Sequence, residues 1–139
     1  MNWLVWSLLS ALFAGLTAVL AKAGVAGVDS HIATAVRTSV ILVFAWGVAL
    51  VAGPVASVLT ISKRTWLLLI LSGLATGASW LCYFRALQLG EASKVAPIDK
   101  LSVVFVLIFA ALFLGEPLTW KTATGAAFIV VGAIVLAGK

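Results

Sequence analysis

The chain has 139 residues, 64% of them hydrophobic and 9% charged, with a mean hydropathy of +1.26; a water-soluble domain carries about 25% charge, so a chain this apolar needs a bilayer as its solvent. Its formal net charge is +5, from nine basic and four acidic residues. Nucleic-acid binders cluster Lys and Arg on one face of a polar exterior, so no nucleic-acid partner is expected, and the positive balance fits anionic lipid headgroups instead.

Five apolar segments follow one another, each near the roughly 20 residues that a spanning helix needs. The first runs over Trp3–Ala21. No secretory signal precedes it: "MNWLVWSLL" lacks a basic start, and "LTAVLAKAG" ends a membrane helix better than it ends a cleavable leader. Ser7, Ser10, Ala14, Thr17 and Ala21 recur at three and four residues, a small polar stripe suited to helix contact or to lining a solute path. "KAGVAGVDSH" then leads to Ile32–Val51, which carries Arg37, with His31 at the interface.

"AGPVASVLTISKR" contains the Gly53-Pro54 breaker. The third segment, Trp66–Leu89, holds Gly73 and Gly77 four residues apart, a spacing that lets helix backbones approach closely. It also holds Arg85 about one turn from its end, and the lone Cys82. One cysteine excludes an internal disulfide and any multi-cysteine metal site, and in an apolar run it reads as a small hydrophobic filler. Gly90-Glu91 turns the chain into Ala92–Leu114, and "GEPLTWK" turns it into Thr122–Ala137. Glu91 and Glu116 sit at these junctions as caps or turn residues. The loops are short, so residues 1–139 read as a single all-α membrane domain.

Five is an odd number, so the two termini lie on opposite sides. Trp3, Trp66 and Trp120 open helices on the N-terminal side and Trp46 approaches it, an aromatic belt that supports the boundaries. Orientation follows Lys and Arg in short loops. Lys63, Arg64 and Lys121 stand on the N-terminal side, against Lys22, Lys94 and Lys139 on the other. A balanced count gives no instruction about insertion, which fits two oppositely oriented copies paired as the inverted repeats of secondary transporters. The alternative is one fixed orientation.

The C-terminal-side half of the bundle carries the buried charge. At 1.5 Å per residue, Asp99 and Lys100 lie roughly 10–12 Å into the fourth helix and Arg37 roughly 8–9 Å into the second, with Arg85 on the third. Adjacent helical residues point about 100° apart, so Asp99 and Lys100 are not expected to neutralise each other. A partner for each is expected from another helix, water or a solute, with Arg37 and Arg85 as the cations for Asp99. An ionisable group at mid-helix costs at least about 2.5–3.5 kcal/mol, so a polar cavity is one reading, and the cluster's positive charge fits a solute bearing a carboxylate or other anionic group. The structural alternative starts the fourth helix at Pro97, which makes Asp99 an ordinary first-turn acid and lets Arg85 and Lys100 snorkel to the headgroups.

"YFRALQLGEASKVAPIDKLSVVFVLIFAALFLGEPLTWKTATGAAFIVVGAIVL" resembles the C-terminal part of an EamA domain of the drug/metabolite transporter superfamily. The matching elements are Tyr83-Phe84-x-Ala86-Leu87, Ala92-Ser93-x-Val95-Ala96-Pro97 and Phe113-Leu114-Gly115-Glu116, with Lys22 and Arg37 earlier. Most members resemble two five-helix units in tandem, inverted about a central cavity, so the resemblance implies a half-size member that needs a second copy. It also implies that the third and fourth helices line the solute path, with Trp80, Tyr83, Asp99 and Ser102 as candidates. The small multidrug-resistance relatives use a first-helix glutamate to couple protons. This first helix has no acid, which leaves Asp99 as the only acid well inside a span.

The expectation is therefore a multi-pass inner-membrane protein, an antiparallel homodimer that exports a small polar or amphipathic metabolite by alternating access. Arg37, Arg85, Asp99 and Lys100 would come from both copies. The competing expectations are a non-transporting subunit, half of a hetero-oligomeric transporter, or a lipid flippase. Nothing resembles a nucleophile–base pair, a metal-ligand cluster or a phosphate-cradling loop, so no enzyme, metal or cofactor is expected.

Overall fold

The computed structural model describes residues 2–53 and 55–138. Pro54 of the expected breaker and Lys139 of the charge count lie outside the described residues. The helices are α1 (Trp3–Gly24), α2 (Ser30–Ala52), α3 (Lys63–Leu89), α4 (Ala92–Asp99), α5 (Ser102–Phe109) and α6 (Trp120–Ala137), with a 3-10 turn at Val55–Thr60 before α3 and a π turn at Ala110–Leu114 after α5. Taken from Ala92 to Leu114 as one span, the fourth joins α1, α2, α3 and α6 as five helices long and apolar enough to cross a membrane.

Several helices open ahead of their apolar runs, and each early start has a polar cap. Asp29 accepts the N–H groups of His31 at 2.8 Å and Ile32 at 3.2 Å, so α2 begins at Ser30 instead of Ile32. Ser62 Oγ accepts from Thr65 N at 3.1 Å, and α3 begins at Lys63 instead of Trp66. Thr119 Oγ1 accepts from Thr122 N at 3.2 Å, and α6 begins at Trp120 instead of Thr122. Each cap satisfies a backbone donor that the first turn leaves free. The span ending at Leu114 closes on Gly115, whose φ of 68° is left-handed and comfortable only for glycine, with Glu116 N donating to Ala110 O at 3.2 Å.

The Asp29 cap has a pH signature. The Ile32 N–H, then the His31 N–H, hold its carboxyl below its ordinary value of 3.8. A folded-state pKa below the unfolded one means that the cap stabilises fully above about pH 4 and loses its effect as pH falls through the folded value. Asp29→Ala is therefore expected to lower the thermal midpoint at neutral pH, with the gap from the parent chain narrowing in acid. Circular dichroism melts in detergent at the two pH values check this.

The described residues form two compact units. In the first, Met1–Lys22 with Leu89–Lys139, α4 and α5 both pack on α6. The less exposed positions of α6 include Ala123, Ala126, Val130, Ala133 and Ala137, spaced three and four apart. Small side chains on this stripe let the helix backbones come close. Phe105, Phe109 and Phe113 form an outward ridge, with ring centroids 6.3 and 6.1 Å apart. Lys22 Nζ donates to the Gly90 carbonyl at 2.7 Å, tying the end of α1 to the start of α4.

The second unit, Ala23–Gln88, holds α2 and α3. Its buried residues, Val25, Ser30, Thr34, Phe84 and Leu87, all lie where α2 starts and α3 ends. Gln88 Nε2 donates to Val28 O at 2.6 Å at the same end. In the middle of α3, no neighbouring atom lies within 4 Å of where a Cβ would stand at Gly73 or Gly77. Among the described residues the buried apolar set is Ala18, Val25, Phe84, Leu87, Ala110 and Ala133. A core so small stabilises little in water, so the outward Leu, Val, Ile and Phe side chains need a hydrocarbon surround.

Candidate functional site

The fourth span tightens where its charges stand. Pro97 has no N–H and cannot donate to the Ser93 carbonyl four residues back. Lys100 N instead bonds Pro97 O at 3.1 Å and Leu101 N bonds Ile98 O at 3.0 Å. Val103 N and Val104 N repeat the i−3 pattern to Lys100 O and Leu101 O, at 3.1 and 3.0 Å. These tighter turns end α4 at Asp99 and start α5 at Ser102. The expected helix over Ala92–Leu114 thus runs on as one span, its backbone right-handed through Lys100 and Leu101 but tightened there to i−3 bonds.

One expectation about these charges is overturned. Lys100 Nζ lies 3.6 Å from Asp99 Oδ2, so the two neighbours do pair. The distance makes it an ion pair without a hydrogen bond, and the Asp99 side chain keeps 39% of its surface open. Its remaining lone pairs are available to a proton, water or a solute. The first-turn alternative fails as well, because the segment begins at Ala92 with Glu91 before it, not at Pro97. Asp99 stands on the tightened turn that joins α4 to α5. Ser102 stands exposed just past that turn, as the first residue of α5. Glu91 pairs with Lys94 at 3.8 Å on the first turn.

The other candidates gather in the second unit. The Arg37 guanidinium carbon sits over the Trp80 ring, 4.5 Å from its centroid, and 5.4 Å from that of Phe84. Trp80 and Phe84 are four residues apart on α3 and so share a face. Tyr83, on the same helix, is half-buried. A cation over an aromatic face is stabilised by about 0.5–1 kcal/mol when exposed and about 2 kcal/mol when desolvated. Arg85 turns elsewhere: its Nη1 donates to Gln88 Oε1 at 3.0 Å.

The structure therefore brings Arg37 to Trp80 and Asp99 to Lys100, and gives Arg85 a neutral partner on its own helix. Phe84 is the member that sequence reasoning missed as a site residue. Its signal was the i, i+4 spacing from Trp80. Among the described residues, no three His, Cys, Asp or Glu side chains come together in a way that could hold a metal ion.

The chain is 56% identical over 136 residues to "Uncharacterized transporter in cobO 3'region" of Sinorhizobium sp, covering 98% of this chain and 96% of that protein. No solved structure matches it. The model of the EamA-like transporter family matches residues 1–138. With five helices long and apolar enough to cross a membrane, the chain is a multi-pass membrane protein that belongs to the EamA-like transporter family, as a single EamA-like domain.

Proposed function

We propose that the chain is an inner-membrane secondary transporter that exports a small polar or amphipathic metabolite by alternating access, as an antiparallel homodimer. The observation that carries this reading is an acid, Asp99, at the tightened turn within the fourth span. An ionisable side chain inside a spanning helix is costly unless it faces a partner, water or a solute, so it marks a solute or ion pathway. Asp99 is the coupling residue, Lys100 sets its charge environment, and Ser102 offers a hydroxyl beside it. Arg37, Trp80 and Tyr83 contribute to the solute path, with Arg85 near its mouth.

The homodimer rests on three further points. The basic residues of the short loops divide equally between the two sides. The four-residue spacing of Gly73 and Gly77 on α3 suits a close helix crossing with a second copy. The matched Sinorhizobium protein, of nearly equal length, is itself called a transporter.

Release of metabolites from cells tests the transport reading. A bacterial host producing the chain is expected to enrich at least one polar metabolite in the medium, relative to the same host with an empty vector, by mass spectrometry. Identical media would count against export.

A further inference from the structure

Arg37 is a cation at membrane depth with no acid to answer it in its own unit. Residues 23–88 contain a single acid, Asp29, and its carboxylate already accepts the His31 and Ile32 N–H groups. Arg85, the other arginine toward that end of the unit, is engaged with Gln88. Trp80 and Phe84 lie against the Arg37 guanidinium. No hydrogen bond among the described residues uses its N–H donors.

The choice of arginine matters. A guanidinium stays protonated even where desolvation would discharge an ammonium. The rings lie 4.5 and 5.4 Å from the guanidinium carbon, and a guanidinium carries its N–H groups as a planar fork that matches two oxygens of one oxyanion. The rings are also an apolar wall, suited to the body of an amphipathic solute.

We infer that Arg37, clasped by Trp80 and Phe84, is the docking point for the carboxylate of a small organic anion. This rests on the transport reading and gives the solute a chemical class. A monovalent carboxylate is favoured over a phosphate, because a second negative charge adds desolvation cost that one guanidinium does not offset. Trp80 and Phe84 are positioning residues that hold the fork edge-on to the solute.

Phenylglyoxal, which modifies guanidinium groups, tests this on the purified full chain in a maltoside detergent, with adducts read at each arginine by peptide mass spectrometry. Saturating benzoate is expected to slow modification of Arg37 about tenfold, the measure of one good contact, and to leave Arg64 unchanged. The neutral isostere benzamide is expected to protect little. Trp80→Leu is expected to remove the benzoate protection and Trp80→Phe to keep it, a contrast that a merely structural Trp80 would not produce.

Equal protection by benzoate and benzamide, or by neither, would overturn the inference. So would protection confined to inorganic phosphate or to phosphatidylglycerol, which would make the group a phosphate or lipid-headgroup site. Failure here alongside intact metabolite export removes the carboxylate assignment and leaves the transporter standing. Protection without any export does the reverse.

Discussion

Asp99→Asn is expected to abolish transport while the chain still inserts and pairs. Asparagine keeps the shape of the side chain and removes both its charge and its capacity to exchange a proton. Lys100 is left without its counter-charge at 3.6 Å, and the balance at the turn shifts to positive. Export is expected to fall at least about tenfold, the equivalent of ~1.4 kcal/mol, with the size-exclusion profile and helical content of the parent. Lys100→Gln, which keeps the carboxylate, is expected to cost less. Normal export by Asp99→Asn would reduce Asp99 to a structural partner of Lys100.

The largest expected loss of stability is at Leu87, not in the charged region. Leu87 is fully buried and Phe84, one turn before it, is 3% exposed, while Cys82 on the same helix is exposed. Leu87→Ala removes packed methyl groups and leaves a cavity, at a cost of about 2–5 kcal/mol. Cys82→Ala removes a side chain that faces out, and is expected to stay within about 0.5 kcal/mol. Reversible unfolding in mixed micelles distinguishes the two. Equal losses would show that the end of α3 is not where the second unit is held together.

Apolar runs of spanning length were visible in the sequence because a bilayer imposes that length whatever the partners. The helix starts were not, for a consistent reason. A run begins where apolar residues begin, whereas a helix begins where a cap satisfies its first N–H groups, as at Asp29, Ser62 and Thr119. The tightened turn in the fourth span was hidden by its own composition, since Leu101 continues the oily run while the backbone has already tightened behind Pro97. Treating that span as an ideal helix kept Asp99 and Lys100 about 100° apart and concealed their pairing. Arg37 stood out as a charge within a span. Its aromatic clasp needed the register between α2 and α3, which no single segment contains.

The central claim is that one gene product supplies both halves of the pathway, in opposite orientations. Paired C-terminal reporters test it most directly, one active only in the cytoplasm and one only outside it, fused separately to the chain and measured in the same host. Comparable activity from both is the predicted result, because the loops carry equal basic charge on the two sides. Activity from only one reporter would fix a single orientation and contradict the antiparallel homodimer.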